Sequence, residues 1–243
     1  MVYQPIINLK SRQITGIEAL LRWHHPKLGL VSPTDFIPIA EESGVIIAIG
    51  EWVIRAACKQ ALLWQQAGIQ PIQISVNLSA RQFVQTNVYE RIQQILTETE
   101  FNPRYLTLEL TESIIMQDME KNIETLTYLK ELGIGLVIDD FGVGYSSLNY
   151  LKRLPVDKLK IDKSFVDDVP MLPDAGAIIS AIIALAASLN LKIIAEGVEN
   201  AQQLAFLIRH HCDEIQGFYF SEPLNEEACT KLLQEHKEFT LPI

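Results

Sequence analysis

Hydrophobic and polar positions alternate along this chain with two different periods, and the switching between them sets the expected fold. β-rich runs occur at residues 3–9, 14–20, 71–78 and 105–110, and again at 134–140, 157–162, 191–196 and 213–220. Between the later runs, helical patterns cover 50–68, 81–101 and 113–133. The most apolar window, residues 177–189, is too short to span a bilayer and predicts a buried helix. Strands alternating with helices predict an α/β fold, a TIM-like (β/α)8 barrel. Only "KSRQ" and its neighbours separate the first two runs, too few residues for a parallel crossover. An antiparallel first strand is therefore expected.

Strand parity then sorts the side chains by face. Ile72, Ile74 and Val76 oppose Gln73, Ser75 and Asn77, and the leucines 106, 108 and 110 oppose Thr107, Glu109 and Thr111. Leu159 and Ile161 oppose Lys158, Lys160 and Asp162 in the same way. With the apolar faces packed on helices, the polar faces point into the barrel. The last polar residue of each run falls near the C-terminal end of its strand, where barrel enzymes carry their sites. Glu18, Asn77, Glu109, Asp139, Asp140, Lys160, Glu196 and Gln216 are thus expected at one mouth.

Adjacent carboxylates such as Asp139 and Asp140 at the end of an apolar run call for a counter-charge. Acids with one asparagine, and no His or Cys among them, make an all-oxygen donor set suited to Mg²⁺ or Mn²⁺. Two such ions clamping a phosphodiester point to metal-assisted phosphoryl chemistry. Taken singly, the same residues have plainer readings. Asn77 is an N-cap candidate, Lys160 a surface lysine, Arg22 the partner of a nearby acid, and Glu196 with Glu199 a solvated acidic turn.

Composition narrows the classes. The chain has 243 residues, 48% hydrophobic, which supports one sizeable core and argues against disorder. A formal net charge of −10 gives an average field that does not attract nucleic acid or an anionic membrane. Cys58, Cys212 and Cys229 show no CxxC spacing and read as reduced thiols of a soluble, cytoplasmic domain. His24, His25, His210 and His211 are assigned no metal. The chain opens almost directly in a strand, the layout expected of a piece excised from a longer protein.

The segments "EALLRW" (18–23), "ELTES" (109–113), "DDFGVGYSSL" (139–148), "KIDKSF" (160–165), "AEGVE" (195–199) and "QGFYFSEP" (216–223) closely resemble the EAL domain. The resemblance runs from near residue 3 to roughly "PLNEEA", so residues 1–243 are read as a single EAL phosphodiesterase domain. It implies hydrolysis of cyclic di-GMP to linear 5′-pGpG, with a water held between two Mg²⁺ or Mn²⁺ ions as nucleophile. By motif position, Glu18, Asn77, Glu109 and Asp139 resemble ligands of one ion, with Asp139 bridging to a second that Asp140 helps to hold. Lys160 resembles the lysine that orients the attacking water, and Glu196 the general base. Glu199 and Gln216 resemble supporting residues, and Gln4, Arg22 and Asp162 substrate contacts. Glu112 resembles the residue that steadies the loop after Asp140 and couples it to a dimer surface. Val143 stands where the family often has Thr.

The resemblance further implies a homodimer and sensory or GGDEF domains fused in the full-length protein, and the short apolar window at 177–189 leaves no membrane span expected in this segment. Membrane anchoring of the full-length protein stays open. Ca²⁺, with its longer bonds and larger coordination number, is expected to inhibit. Two rival readings stand beside this one: a catalytically silent cyclic di-GMP receptor, and a barrel phosphoesterase with another substrate.

Overall fold

In the computed structural model, which describes residues 1–116, 118–143, 151–169, 173–235 and 239, the alternation takes shape as a closed barrel. The first strands in chain order are β1 (Val2–Asn8), β2 (Ile14–Leu20), β3 (Trp23–His25), β4 (Gly29–Val31) and β5 (Gln73–Asn77). They are followed by β6 (Leu106–Thr111), β7 (Gly135–Phe141), β8 (Lys158–Ile161), β9 (Lys192–Ala195) and β10 (Glu214–Ile215). β3 and β4 form a separate hairpin, and the others close in the order β1-β10-β9-β8-β7-β6-β5-β2. β1 runs antiparallel to both β2 and β10, and the remaining ladders of the barrel are parallel. The reversed first strand is therefore present as the short first connection requires.

Helices around the barrel are α1 (Pro33–Ser43), α2 (Ile46–Gln66), α3 (Ala80–Phe83), α4 (Val88–Thr99) and α5 (Glu112–Ile115). The chain continues through α6 (Met119–Glu131), α7 (Lys163–Asp168), α8 (Pro173–Ser188), α9 (Ala201–Arg209) and α10 (Glu226–Gln234). Strand residues of the predicted outward parity, among them Ile74, Val76, Leu106, Leu108, Leu110, Leu159 and Ile161, are fully buried against these helices. Trp64 of α2 anchors the reversed strand: its ring meets Tyr3 edge-on at 5.2 Å, and its Nε1 donates to Thr230 Oγ1 of α10 at 2.8 Å.

Several boundaries differ from expectation, each for a local reason. The helix predicted over 81–101 divides into α3 and α4. A capping box at Ser79 and Gln82 starts the first, and Asn87, in a non-helical conformation, restarts the second. The helix predicted over 113–133 likewise divides into α5 and α6, and Asn122 Nδ2 donates to the carbonyls of Ile114 (3.2 Å) and Ile115 (3.0 Å) left open where α5 stops. The strand predicted over 213–220 shortens to β10 because the chain turns at Gly217, with Phe220 N–H returning to the Gly217 carbonyl at 3.2 Å. The β3–β4 hairpin and α1, absent from the expectation, fill the span between β2 and α2. α1 begins with Pro33 in its first turn and ends at Gly44, whose φ of 79° supplies the left-handed cap.

The barrel carries polar layers at both poles. At the pole opposite the strand C-termini, Lys158 pairs with buried Glu214, which also accepts from Thr15 Oγ1 at 2.9 Å. Two residues further along the same strand, Lys160 enters the other pole and is completely buried.

Candidate active site

Register brings the acids together. Gln4 lies opposite Glu18 across β1 and β2, and Asn77 beside Glu109 across β5 and β6. Asp139 lies on β7 and Lys160 on β8, while Glu196 and Gln216 follow the ends of β9 and β10. Their side chains converge on one ammonium. Lys160 Nζ is 2.6 Å from Glu109 Oε2, 3.1 Å from Glu18 Oε2 and 3.9 Å from Asp139 Oδ1, and it pairs with Glu196 Oε1. Amides hold Glu18 from its other sides. Asn77 Nδ2 donates to Glu18 Oε1 at 2.6 Å, and Gln216 Nε2 donates to Glu18 Oε2 at 2.7 Å and to Gln4 Oε1 at 2.9 Å. Gln4 Nε2 in turn donates to the Ser221 carbonyl at 3.1 Å.

A bulge shapes the acidic pair. β7 and β8 lose register between Ile138 and Phe141, and Asp140 takes a φ of 52° there. Such a conformation costs a non-glycine residue about 1–2 kcal/mol. It breaks the β7–β8 ladder at the acidic pair, leaving Asp139 buried and Asp140 exposed. Asp139 Oδ1 accepts the Asp140 backbone N–H at 2.9 Å.

Crowding of like charges in a dry pocket shifts these groups in opposite directions. Burial pushes Glu109 up to about 8, with the charges of Glu18 and Asp139 adding to it against the pull of Lys160. Burial also lifts Glu196 to about 7, again opposed by Lys160 and reinforced by Asp139 and Glu18. Asp139 and Asp140 are raised chiefly by burial as well. For Glu18 burial acts upward, but Lys160 and the hydrogen bonds from Gln216, Lys160 and Asn77 hold it below the usual carboxylate range. Lys160 shows the mirror image: burial alone would lower it, and four surrounding carboxylates hold it well above its ordinary value.

Other predicted residues sit around this group. Glu112 Oε2 accepts the Gly142 backbone N–H at 3.3 Å, tying the first residue of α5 to the start of the loop after Asp140. Residues 144–148 of that loop lie outside the described residues. Arg22 is half-buried, and its Nη1 donates to the Leu21 carbonyl at 2.8 Å; it forms no ion pair with an acid among the described residues. Asp162 caps α7, its Oδ1 accepting the Ser164 N–H at 3.0 Å, while its charge still raises Asp139 and Asp140. Glu199 is half-exposed and pairs with Lys163, outside the set of acids around Lys160. Val143 is exposed. Sequence reasoning did not find the walls beside the acids. A cavity of about 290 Å³ is lined by Arg22, Asn77 and Glu109 together with Pro33, Ile37 and Ile46 of α1 and α2. The only prior signal for these was their apolar character, which core residues share.

The donor set fits divalent cations. Glu109 Oε1 is buried without a hydrogen-bond partner, an acceptor left free beside the cluster that its Oε2 joins. With Asn77 Nδ2 engaged by Glu18, its amide oxygen is the atom left for ligation. Among the described residues no three His, Cys, Asp or Glu side chains are spaced as a ready-made metal cage, and the acids instead close on the Lys160 ammonium.

Gly217 keeps this wall in place. A Cβ there would fall 2.2 Å from the Val198 carbonyl oxygen and 2.3 Å from its nitrogen, both backbone atoms. Gly217→Ala is expected to lower unfolding stability by about 1–3 kcal/mol through overpacking. A urea midpoint unchanged from wild type would show that the segment after Gln216 yields freely.

Comparison with known proteins agrees with this fold. The EAL domain family model matches residues 1–223. The bifunctional diguanylate cyclase/cyclic di-GMP phosphodiesterase MucR of Pseudomonas aeruginosa is 46% identical over 225 residues, covering 93% of this chain and 33% of that protein. The cyclic di-GMP phosphodiesterase NbdA of the same organism is 42% identical over 235 residues, 97% of this chain and 30% of that protein. The chain thus spans about a third of the length of these curated relatives. A solved structure of the PaMucR phosphodiesterase in complex with c-di-GMP superposes with a TM-score of 0.90 at 46% identity, covering 94% of this chain and 92% of that one. With its reversed first strand, its acids gathered at the barrel mouth and this breadth of likeness, the chain belongs to the EAL domain family.

Proposed function

We propose that this chain is a cyclic di-GMP phosphodiesterase domain that hydrolyses its substrate to linear 5′-pGpG with Mg²⁺ or Mn²⁺. The observation that carries the reading is the convergence of Glu18, Glu109, Asp139 and Glu196 at the mouth, with Glu109 Oε1 left unpartnered. Glu18, Asn77, Glu109 and Asp139 would hold one ion, and Asp139 with Asp140 a second. Bound divalent ions supply a nucleophile at neutral pH and stabilise charge on the phosphodiester.

The chain's own groups do the rest. Lys160 orients and polarises the attacking water by its fixed positive charge. Glu196, paired with Lys160 at the end of β9, is the general base. Gln216 and Gln4 fix the rotamer of Glu18 through their chain of amide contacts. Arg22 offers its guanidinium to a phosphate oxygen, and Gln4 and Asp162 contact the dinucleotide. Glu199 supports the rim through Lys163, and Glu112 couples the loop to a homodimer surface. The domain occupies residues 1–243, resides in the cytoplasm, and works joined to sensory or GGDEF domains of a longer protein.

Chromatography of cyclic di-GMP incubated with the protein in Mn²⁺, Mg²⁺ or EDTA tests the activity. Cation-dependent appearance of pGpG is the expected result. Binding of the dinucleotide without product would replace the enzyme with a receptor, and neither binding nor product would redirect the search to other phosphoesters. Ca²⁺ in place of Mn²⁺ is expected to suppress turnover at least tenfold, because its longer bonds and higher coordination number misplace the reacting oxygens. Equal rates in Ca²⁺ would mean that the site tolerates loose geometry.

A further inference from the structure

Lys160 has an unusual electrostatic position that its part in orienting water does not require. It is completely buried, and its three N–H donors face oxygens of Glu18, Glu109 and Glu196, with Asp139 at 3.9 Å beyond them. An ammonium carries only three donors, so these contacts use them all. Two of the three acids, Glu18 and Glu109, are the ones assigned above as ligands of a divalent ion. Ammonium and cation therefore draw on the same oxygens: Oε2 of Glu109 is within 2.6 Å of Nζ, and only its Oε1 remains uncommitted. Glu18 is bound on both oxygens, Oε1 by Asn77 and Oε2 by Gln216 and Lys160.

We propose that Lys160 is the internal counter-ion of the metal site, holding Glu18, Glu109 and Glu196 together before a divalent cation arrives and yielding carboxylate oxygens to that cation as it binds. This rests on the metal-dependent reading of the site and adds a second task for the same residue. Carboxylates this close repel one another when ionised, so without a cation among them they must take up protons or move apart. The lysine tether makes that cation permanent, at the cost of competition with the incoming metal. Lys160 is in this respect a positioning residue, setting how tightly the cation binds and how stable the barrel mouth is without it.

The test is thermal unfolding and Mn²⁺ calorimetry on wild type, Lys160→Gln and Lys160→Arg, none of which needs turnover. In EDTA, Lys160→Gln is expected to melt about 5–10 °C below wild type, because buried acids lose their counter-charge. Its Mn²⁺ affinity is expected to rise at least tenfold, and saturating Mn²⁺ to raise its melting temperature by more than it raises that of wild type. Lys160→Arg keeps the charge and is expected to bind Mn²⁺ within about threefold of wild type. Should Lys160→Gln prove too unstable in EDTA, purification in Mn²⁺ followed by competition with a graded chelator reads the same affinity. A Lys160→Gln protein with wild-type Mn²⁺ affinity, or with an unchanged melting temperature in EDTA, overturns the counter-ion role while leaving the phosphodiesterase reading intact. Failure of the wild type to bind Mn²⁺ overturns the metal reading and this inference together.

Discussion

Asp139→Asn is expected to lower turnover of cyclic di-GMP at saturating Mn²⁺ by about a thousandfold, with little change in fold. Asparagine keeps the shape of the side chain and its acceptor toward the Asp140 N–H, an interaction of 2.9 Å. What it removes is the charge that the proposed bridge between two cations needs. Loss of about 4 kcal/mol of transition-state stabilisation corresponds to that factor. Stability moves the other way. Burial, with Glu18 and Asp162 adding to it, raises the Asp139 pKa against Lys160 and the Asp140 N–H, so its ionised form is disfavoured in the folded protein. A raised carboxylate pKa means the folded state holds its proton to higher pH, and stability falls as pH rises through that window. The neutral asparagine escapes this cost, so the variant in EDTA at pH 7 is expected to melt at or above the wild-type temperature. A near-wild-type rate would remove Asp139 from the metal-binding set.

Trp64→Ala is expected to cost about 3–5 kcal/mol of unfolding stability. Trp64 is 1% exposed, packs edge-on against Tyr3 and donates its Nε1 proton to Thr230. The substitution leaves a cavity and an unpaired partner where α2, β1 and α10 meet. Because β1 is reversed and closes the barrel through its pairing with β2 and β10, loosening it also loosens Gln4, which Gln216 contacts. Equilibrium urea unfolding measures the loss, and a cost below 1 kcal/mol would show that the seam collapses around the hole.

Much of this arrangement was legible in the chain. Period-two parity placed Glu109 and Lys160 on the inward face because a barrel strand has only two faces and the other was filled by leucine and isoleucine. The short link after β1 forced its reversal. Other features were hidden for physical reasons. The bulge at the acidic pair and the left-handed φ of Asp140 are a backbone choice that no side-chain pattern announces. The apolar residues 217–220 look like strand until Gly217 meets the Val198 backbone, a contact made by tertiary structure alone. The capping of α7 by Asp162 and the pairing of Glu199 with Lys163 likewise depend on which of several nearby partners the fold brings within reach. Lys160 as the hub of four acids could not be read from spacing, since Glu18 lies 142 residues away in the chain.

The most direct measurement is a crystal structure of the protein grown in Mn²⁺, with anomalous scattering recorded at the manganese edge. Two peaks are predicted at the barrel mouth, about 3.5–4 Å apart. One should lie against Glu18, Asn77, Glu109 and Asp139, and the other against Asp139 and Asp140. Manganese found elsewhere, or no anomalous peak among these acids at saturating Mn²⁺, would contradict the claim that the acidic mouth of this barrel is built to hold the cations of a phosphodiesterase.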